Sequence, residues 1–81
     1  MGYLRPRPKH LAVKLLRIRK ALGINQLQLV KRLNVAGISN VYISAFEKDK
    51  NEPSLMVLLA YARLANVPVE NLIDDELALN L

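Results

Sequence analysis

The chain has 81 residues, 52% of them apolar, with three glycines, no cysteine and a net charge of +5. That length supports one domain burying roughly 60–65% of its unfolded surface; the aliphatic composition favours helices, and the lack of cysteine excludes a disulfide frame and a thiolate metal site. Nine cations and no acid precede Glu47, whereas three cations face seven acids from there on (+9 against −4), so the field is one-sided and attracts a polyanion, of which nucleic acid is the commonest.

Residues 1–8 form an extended basic arm, because Arg5-Pro6-Arg7-Pro8 cannot be helical within itself. It either lies along phosphates or is a frayed tail. Residues 9–76 form the domain proper, and 77–81 an apolar tail. From Lys9, the apolar positions Leu11, Leu15, Ile18 and Leu22 recur at helical spacing until Gly23 closes a first helix. Lys14, Arg17 and Lys20 are assigned to its other face.

Asn25 caps a second helix, with Gln28 at the capping-box position and Ile24 and Leu29 as a staple. Leu29, Val30 and Leu33 form its buried stripe. The run Gly37-Ile38-Ser39-Asn40-Val41-Tyr42-Ile43-Ser44-Ala45-Phe46-Glu47 then reads as a third helix, capped by Ser39 and stapled by Ile38 and Ile43. Ile43 and Phe46 anchor it to the core. Asn40, Val41, Ser44 and Ala45 are left small or polar on the rest of its surface, suited to lie against something else.

Lys48 to Pro53 is a polar loop with no apolar residue to bury. Ser54 caps a fourth helix, with Leu55, Leu58, Leu59 and Ala62 facing inward and Asn66 in a left-handed terminal position. Val67-Pro68 breaks that helix, and Val69 to Ile73 forms a short fifth helix or a turn. His10 is read as solvated, and Asp74-Asp75-Glu76 as a solvated acidic turn rather than a cation site, since no further ligand is spaced to complete one.

This ordered set, from Leu15 to Ile73, resembles the lambda-repressor/Cro-like helix-turn-helix domains, also called the XRE family. The resemblance rests on Leu15-x-x-Ile18-Arg19-Lys20, Gly23-Ile24-Asn25-Gln26 and Leu29-Val30-x-x-Leu33. It continues through Gly37-Ile38-Ser39-x-x-Tyr42-Ile43-Ser44-x-Phe46-Glu47, Asn51-x-Pro53-Ser54-Leu55-x-x-Leu58-Leu59-x-x-Ala62 and Val67-Pro68-Val69-x-x-Leu72-Ile73, about three-quarters of the chain. Each segment alone is weak, and the ordered set is specific. It implies a compact all-helical domain of five helices that binds operator DNA, usually in pairs.

In that fold the second helix crosses the phosphate backbone and the third enters the major groove. The resemblance therefore implies a contact set of Gln26, Ser39, Asn40, Val41, Tyr42, Ser44, Ala45, Lys48, Lys50 and Asn51. Gln26 meets a phosphate at the start of the second helix and also braces a residue of the third, or else is only a solvated helix-start residue. Asn40 suits an adenine edge, whose donor and acceptor its amide matches, and Val41 a thymine methyl. Tyr42 either reaches the duplex or packs its ring on the domain edge. Lys48, Lys50 and Asn51 grip the backbone, Arg19, Lys31 and Arg32 steer, and Glu47 is a structural partner for a basic residue or a backbone N–H.

The chain departs from the family in three places. Asn34-Val35-Ala36 lengthens the connection between the second and third helices by about three residues, which either adds a turn to the second helix or makes a longer loop. Val30 stands where a small alanine is typical, and Asn34 and Asn66 where glycine is common. There is also surplus apolar surface: Leu16, Leu27, Met56, Leu64 and the tail leucines Leu77, Leu79 and Leu81 exceed what one small core needs. These imply a homodimer through the fourth helix and the tail, on a palindromic operator with recognition helices about 34 Å apart. The alternative is a tail folded back on its own domain.

The function expected is sequence-specific double-stranded DNA binding by a small transcriptional regulator, repressor-like, of phage, mobile-element or antitoxin type. The alternative is a protein-interaction module on the same fold. An enzyme is not expected, with a single histidine, no paired carboxylates in the basic half and no glycine-rich phosphate loop. No cofactor, metal, small-molecule ligand or membrane partner is expected. With no signal-peptide pattern in the first ten residues, the location expected is cytoplasmic, on a bacterial or phage nucleoid.

Overall fold

Every long helix of this chain stops at a residue in the left-handed region, and that sets the corners of the fold. In the computed structural model, which describes residues 7–81, these residues are Gly23, Asn34, Asp49 and Asn66, at φ between 54° and 69°. They end α1 (Leu11–Leu22), α2 (Gln26–Leu33), α3 (Asn40–Glu47) and α4 (Leu55–Ala65), and α5 (Glu70–Ile73) follows. After α1, α3 and α4, two backbone N–H groups fold back onto the last turn; after α3, Asp49 N–H donates to Phe46 O and Lys50 N–H to Ala45 O. Such caps satisfy carbonyls that have no partner within the helix. Asn and Asp tolerate the left-handed region better than other side chains, so three corners are made without glycine.

Helix starts are equally specific. The Asn25–Gln28 capping box is complete, each side chain accepting from the other residue's N–H at 2.8 Å. Ser54 Oγ accepts from Val57 N–H. Ser39 occupies the extended position before α3, but its hydroxyl makes no capping bond, so only half of that expectation holds. Nor does α1 have a side-chain cap of its own, since His10 at its N-cap makes no capping bond and its first turn contains no acid. Instead the Asp75 carboxylate, 65 residues downstream, accepts from His10 N–H at 3.0 Å and from Lys9 N–H at 2.8 Å. Those two bonds hold the Asp75 carboxyl below the usual carboxylate range. The acidic turn is solvated as expected, yet one of its members starts α1.

The core is assembled from Leu11, Leu15 and Ile18 of α1, Leu29 and Leu33 of α2, Ile43 and Phe46 of α3, four residues of α4 (Val57, Leu58, Tyr61 and Ala62), and Leu72. The first two turns of α4 therefore face differently from the expectation. Leu55 is 78% exposed, and Val57 and Tyr61 point inward in its place, because the stripe through Leu58 and Ala62 takes up the residue one place N-terminal to each. Pro53, in the loop expected to bury nothing, is itself buried. Leu79 is only 4% exposed and joins the core, so part of the tail folds back on its own domain. Leu64 and Val30 also pack against that core.

α2 stops at Leu33, and Asn34 N–H bonds Val30 O. The inserted residues thus make a longer loop rather than another helical turn. Val35 and Ile38 pack against the core within that loop, and α3 still returns against both α1 and α2.

Candidate nucleic-acid interface

α3 turns Ile43 and Phe46 to the core and leaves most of its other side chains to solvent. Asn40 opens the helix exposed, and Val41 is 71% exposed. Ser44 and Ala45 are half-buried one turn on, with Gln26 of α2 beside them. Together with Lys48 and Lys50 these side chains line one shallow open groove. Seven of the ten residues expected to bind are thereby brought to one surface. Ser39 and Asn51 are exposed just outside it, at either end of α3. Tyr42 is exposed on the edge, its ring 6.4 Å from that of Phe46 and tilted by 34°, within the range of a favourable aromatic pair.

Apart from Gln26, the polar side chains of the groove are unspent. Among the described residues, the side chains of Ser39, Asn40, Ser44, Lys48, Lys50 and Asn51 have no hydrogen-bond or ion-pair partner. Behind it, the opposite holds for Glu47. This carboxylate, at the last position of α3, accepts Arg19 Nε at 2.7 Å and Nη2 at 3.1 Å, and the Gln26 amide at 3.1 Å. Arg19 also donates to Ile24 O. The bonds to Glu47 raise the Arg19 guanidinium above its ordinary value, against the effect of burial. Glu47 is therefore the structural partner that was expected, and Gln26 does brace α3. Arg19, expected to steer, is committed to this network instead. Tyr61 packs close enough to feel both charges; burial, with Glu47 adding, pushes its phenol well up, and its hydroxyl has no partner among the described residues.

The network has a consequence for the field in front of α3. One acid bordering the groove, Glu47, is neutralised by Arg19 and buried, with 5% of its side chain exposed. Lys31 and Arg32 stand exposed in the last turn of α2 and Lys20 in α1.

Lys14 is not on the open face of α1. It is 5% exposed, and its ammonium donates to the carbonyls of Asn71 (2.8 Å), Leu77 (2.9 Å) and Asp74 (3.0 Å). Arg17 reaches Leu79 O at 3.4 Å. Two cations of the basic half thus hold the C-terminal segment. A signal for this was present, since Lys14 lies three residues after Leu11 and four before Ile18, on the apolar stripe rather than across from it. His10 is solvated, as expected. Arg5 of the arm lies outside the described residues. Arg7 is described, and its guanidinium lies on Asp49, at 2.9 Å from the carbonyl and 3.4 Å from the carboxylate. No group of three His, Asp or Glu among the described residues is placed to hold a metal ion, and no helix among them is long and apolar enough to cross a membrane.

Comparison with known proteins agrees with this fold. The helix-turn-helix family model matches residues 15–72. The crystal structure of the P22 c2 repressor protein in complex with synthetic operator 9T is 31% identical, with a TM-score of 0.70 over 80% of this chain and 94% of that one. The solution structure of the DNA-binding domain of the P22 c2 repressor (residues 1–76) is 27% identical, with a TM-score of 0.69 over 96% of each chain. No curated protein matches significantly.

Proposed function

The chain belongs to the lambda-repressor/Cro-like helix-turn-helix family of DNA-binding regulators, and on that footing we propose that it binds double-stranded DNA sequence-specifically, as a repressor-like regulator that lays α3 in the major groove. The observation that carries the proposal is the contrast in polar satisfaction across α3. Glu47 on the inner side is fully bonded, while Asn40 and Ser44 on the outer side, flanked by Lys48 and Lys50, are bonded to nothing among the described residues. Unpartnered amides and hydroxyls beside cations, lining an open groove, fit base edges bordered by phosphates. The operator complex of a 31% identical repressor supports the same reading.

Each residue has a role in this reading. Asn40 reads an adenine edge, and Val41 meets a thymine methyl. Ser39, Ser44 and Ala45 line the approach, while Gln26, Tyr42, Lys48, Lys50 and Asn51 hold sugar or phosphate. Asn40→Ala should cost about 1–3 kcal/mol on the preferred duplex and almost nothing on random sequence. Lys48→Ala should weaken both alike and reduce the salt slope by about 1. Selecting bound duplexes from a random pool, then titrating both variants on the winner and on random DNA, tests this. Equal losses on the two duplexes would remove α3 as the reading element.

The protein pairs on DNA as a homodimer on a palindromic operator in the same proposal. Leu55, Met56, Leu77 and Leu81 remain exposed on α4 and the tail, whereas Leu79 is taken by the domain's own core. Sedimentation equilibrium with and without a two-half-site duplex tests it. Binding of one chain per duplex at saturation contradicts it.

A further inference from the structure

Arg7 is one of the cations that the groove does not account for. It comes from the far end of the chain, 42 residues before the acid that it touches, and its side chain is about half exposed. Its backbone is held from below, because Lys9 and His10 are tied to Asp75 and Pro8 restricts the link between them. Its guanidinium is held from above by Asp49, through Nη1 alone. Nε and Nη2, the edge with which arginine grips a phosphate by two parallel bonds, have no partner among the described residues.

The place where Arg7 is held matters. Asp49 ends α3 in the left-handed conformation, with its own N–H and that of Lys50 folded back onto the helix. Its position is therefore fixed, between the two lysines that line one end of the groove. An unpaired carboxylate there would repel a phosphate approaching Lys48 and Lys50. Paired with Arg7, the same spot carries three cations and one acid in place of two cations and one acid, a net +2 instead of +1.

We infer that Arg7 is a further phosphate-binding residue on the α3 face, and that Asp49 is the residue that positions it there. The inference rests on the nucleic-acid reading above. The bond from Nη1 to the Asp49 carbonyl persists while Nε and Nη2 turn to the phosphate. Exposed ion pairs are weak, so the carboxylate gives up its share of the guanidinium without a large penalty. Asp49 itself does not touch DNA.

The full chain should be titrated with its selected duplex and with random duplex across a range of salt. Arg7→Ala should flatten the log K against log salt slope by about 0.9, one phosphate contact, on both duplexes. Arg7→Lys should keep most of the slope, since the charge remains, and bind several-fold more weakly. Asp49→Asn removes an acid and so tightens binding, more in the Arg7→Ala background than beside Arg7, by about two- to fivefold. Thermal unfolding of each variant separates these effects from loss of fold, which leaves the slope of the folded fraction unchanged. An Arg7→Ala slope equal to wild type overturns the contact while leaving the α3 reading intact. An Asp49→Asn effect identical in both backgrounds overturns the part that the Asp49 carboxylate plays in holding Arg7. Wild-type binding that ignores salt on both duplexes overturns the nucleic-acid reading and this inference together.

Discussion

Two seams of this small domain use similar side chains in opposite ways. Along the seam between α1 and the C-terminal segment, each described polar side chain that reaches across finds a backbone partner: Lys14 on three carbonyls, Arg17 on a fourth, Asp75 on two N–H groups. Along the groove of α2 and α3, Asn40, Ser44, Lys48 and Lys50 find none among the described residues. A lysine in the first seam is part of the architecture, and a lysine in the second is available to a partner. The difference lies in satisfaction, not in residue type. It also corrects the charge count, because Lys14, Arg17 and Arg19 belong to internal networks and contribute less to an outward field than their number suggests.

Four substitutions break or sharpen that contrast. The largest effect is expected from Glu47→Ala, which leaves the partly buried Arg19 guanidinium without its carboxylate and Gln26 without its acceptor. Breaking such a pair from one side costs about 3 kcal/mol or more, read as a fall in the urea midpoint. Lys14→Met follows, at about 2–4 kcal/mol, since three carbonyls lose their common donor in a part-buried site; for a domain of this size that lowers the melting temperature on the order of 10–20 °C. DNA affinity of the folded Lys14→Met fraction should be unchanged. A variant as stable as wild type would show that the carbonyls are not the reason for the buried lysine.

Tyr61→Phe is expected to act in the opposite direction. The Tyr61 hydroxyl is buried without a partner among the described residues, so removing it should stabilise by up to about 1 kcal/mol. A clear destabilisation in calorimetry would mean that the hydroxyl takes part in the Arg19–Glu47 network. The smallest effect belongs to Asp75→Asn and depends on pH. The Asp75 carboxyl is held below 3.8, its ordinary value, so the folded state takes up that proton less readily than the unfolded chain. Its contribution is complete above that value and disappears as the pH falls through the lower native one. Wild type and Asp75→Asn should therefore differ at neutral pH and converge below about pH 4. A gap that persists in acid would assign the effect to geometry rather than charge.

Much of the fold was legible because its signals are local. Asn25 and Gln28 name their own helix start, Gly23 and Asn66 their helix ends, and Ile43 and Phe46 the buried side of α3, all within a few residues. The groove was legible for the same reason, as the polar remainder of one short helix. Asn34-Val35-Ala36 could be read two ways, because three residues nearly complete a helical turn; the left-handed Asn34 makes the loop. Leu55 was misassigned because every residue from Leu55 to Leu59 is apolar, and a continuous apolar run gives no phase.

Sequence alone determined the helices, their order, the family and most of the side chains that line the groove, since capping and apolar spacing act over three or four residues. Tertiary structure alone decided which charges are free. Lys14 with Asn71, His10 with Asp75, Arg7 with Asp49 and Arg19 with Glu47 are pairs separated by 28 to 65 residues. Electrostatic and hydrogen-bond partners are chosen by distance in space, which the spacing of residues along a chain does not contain.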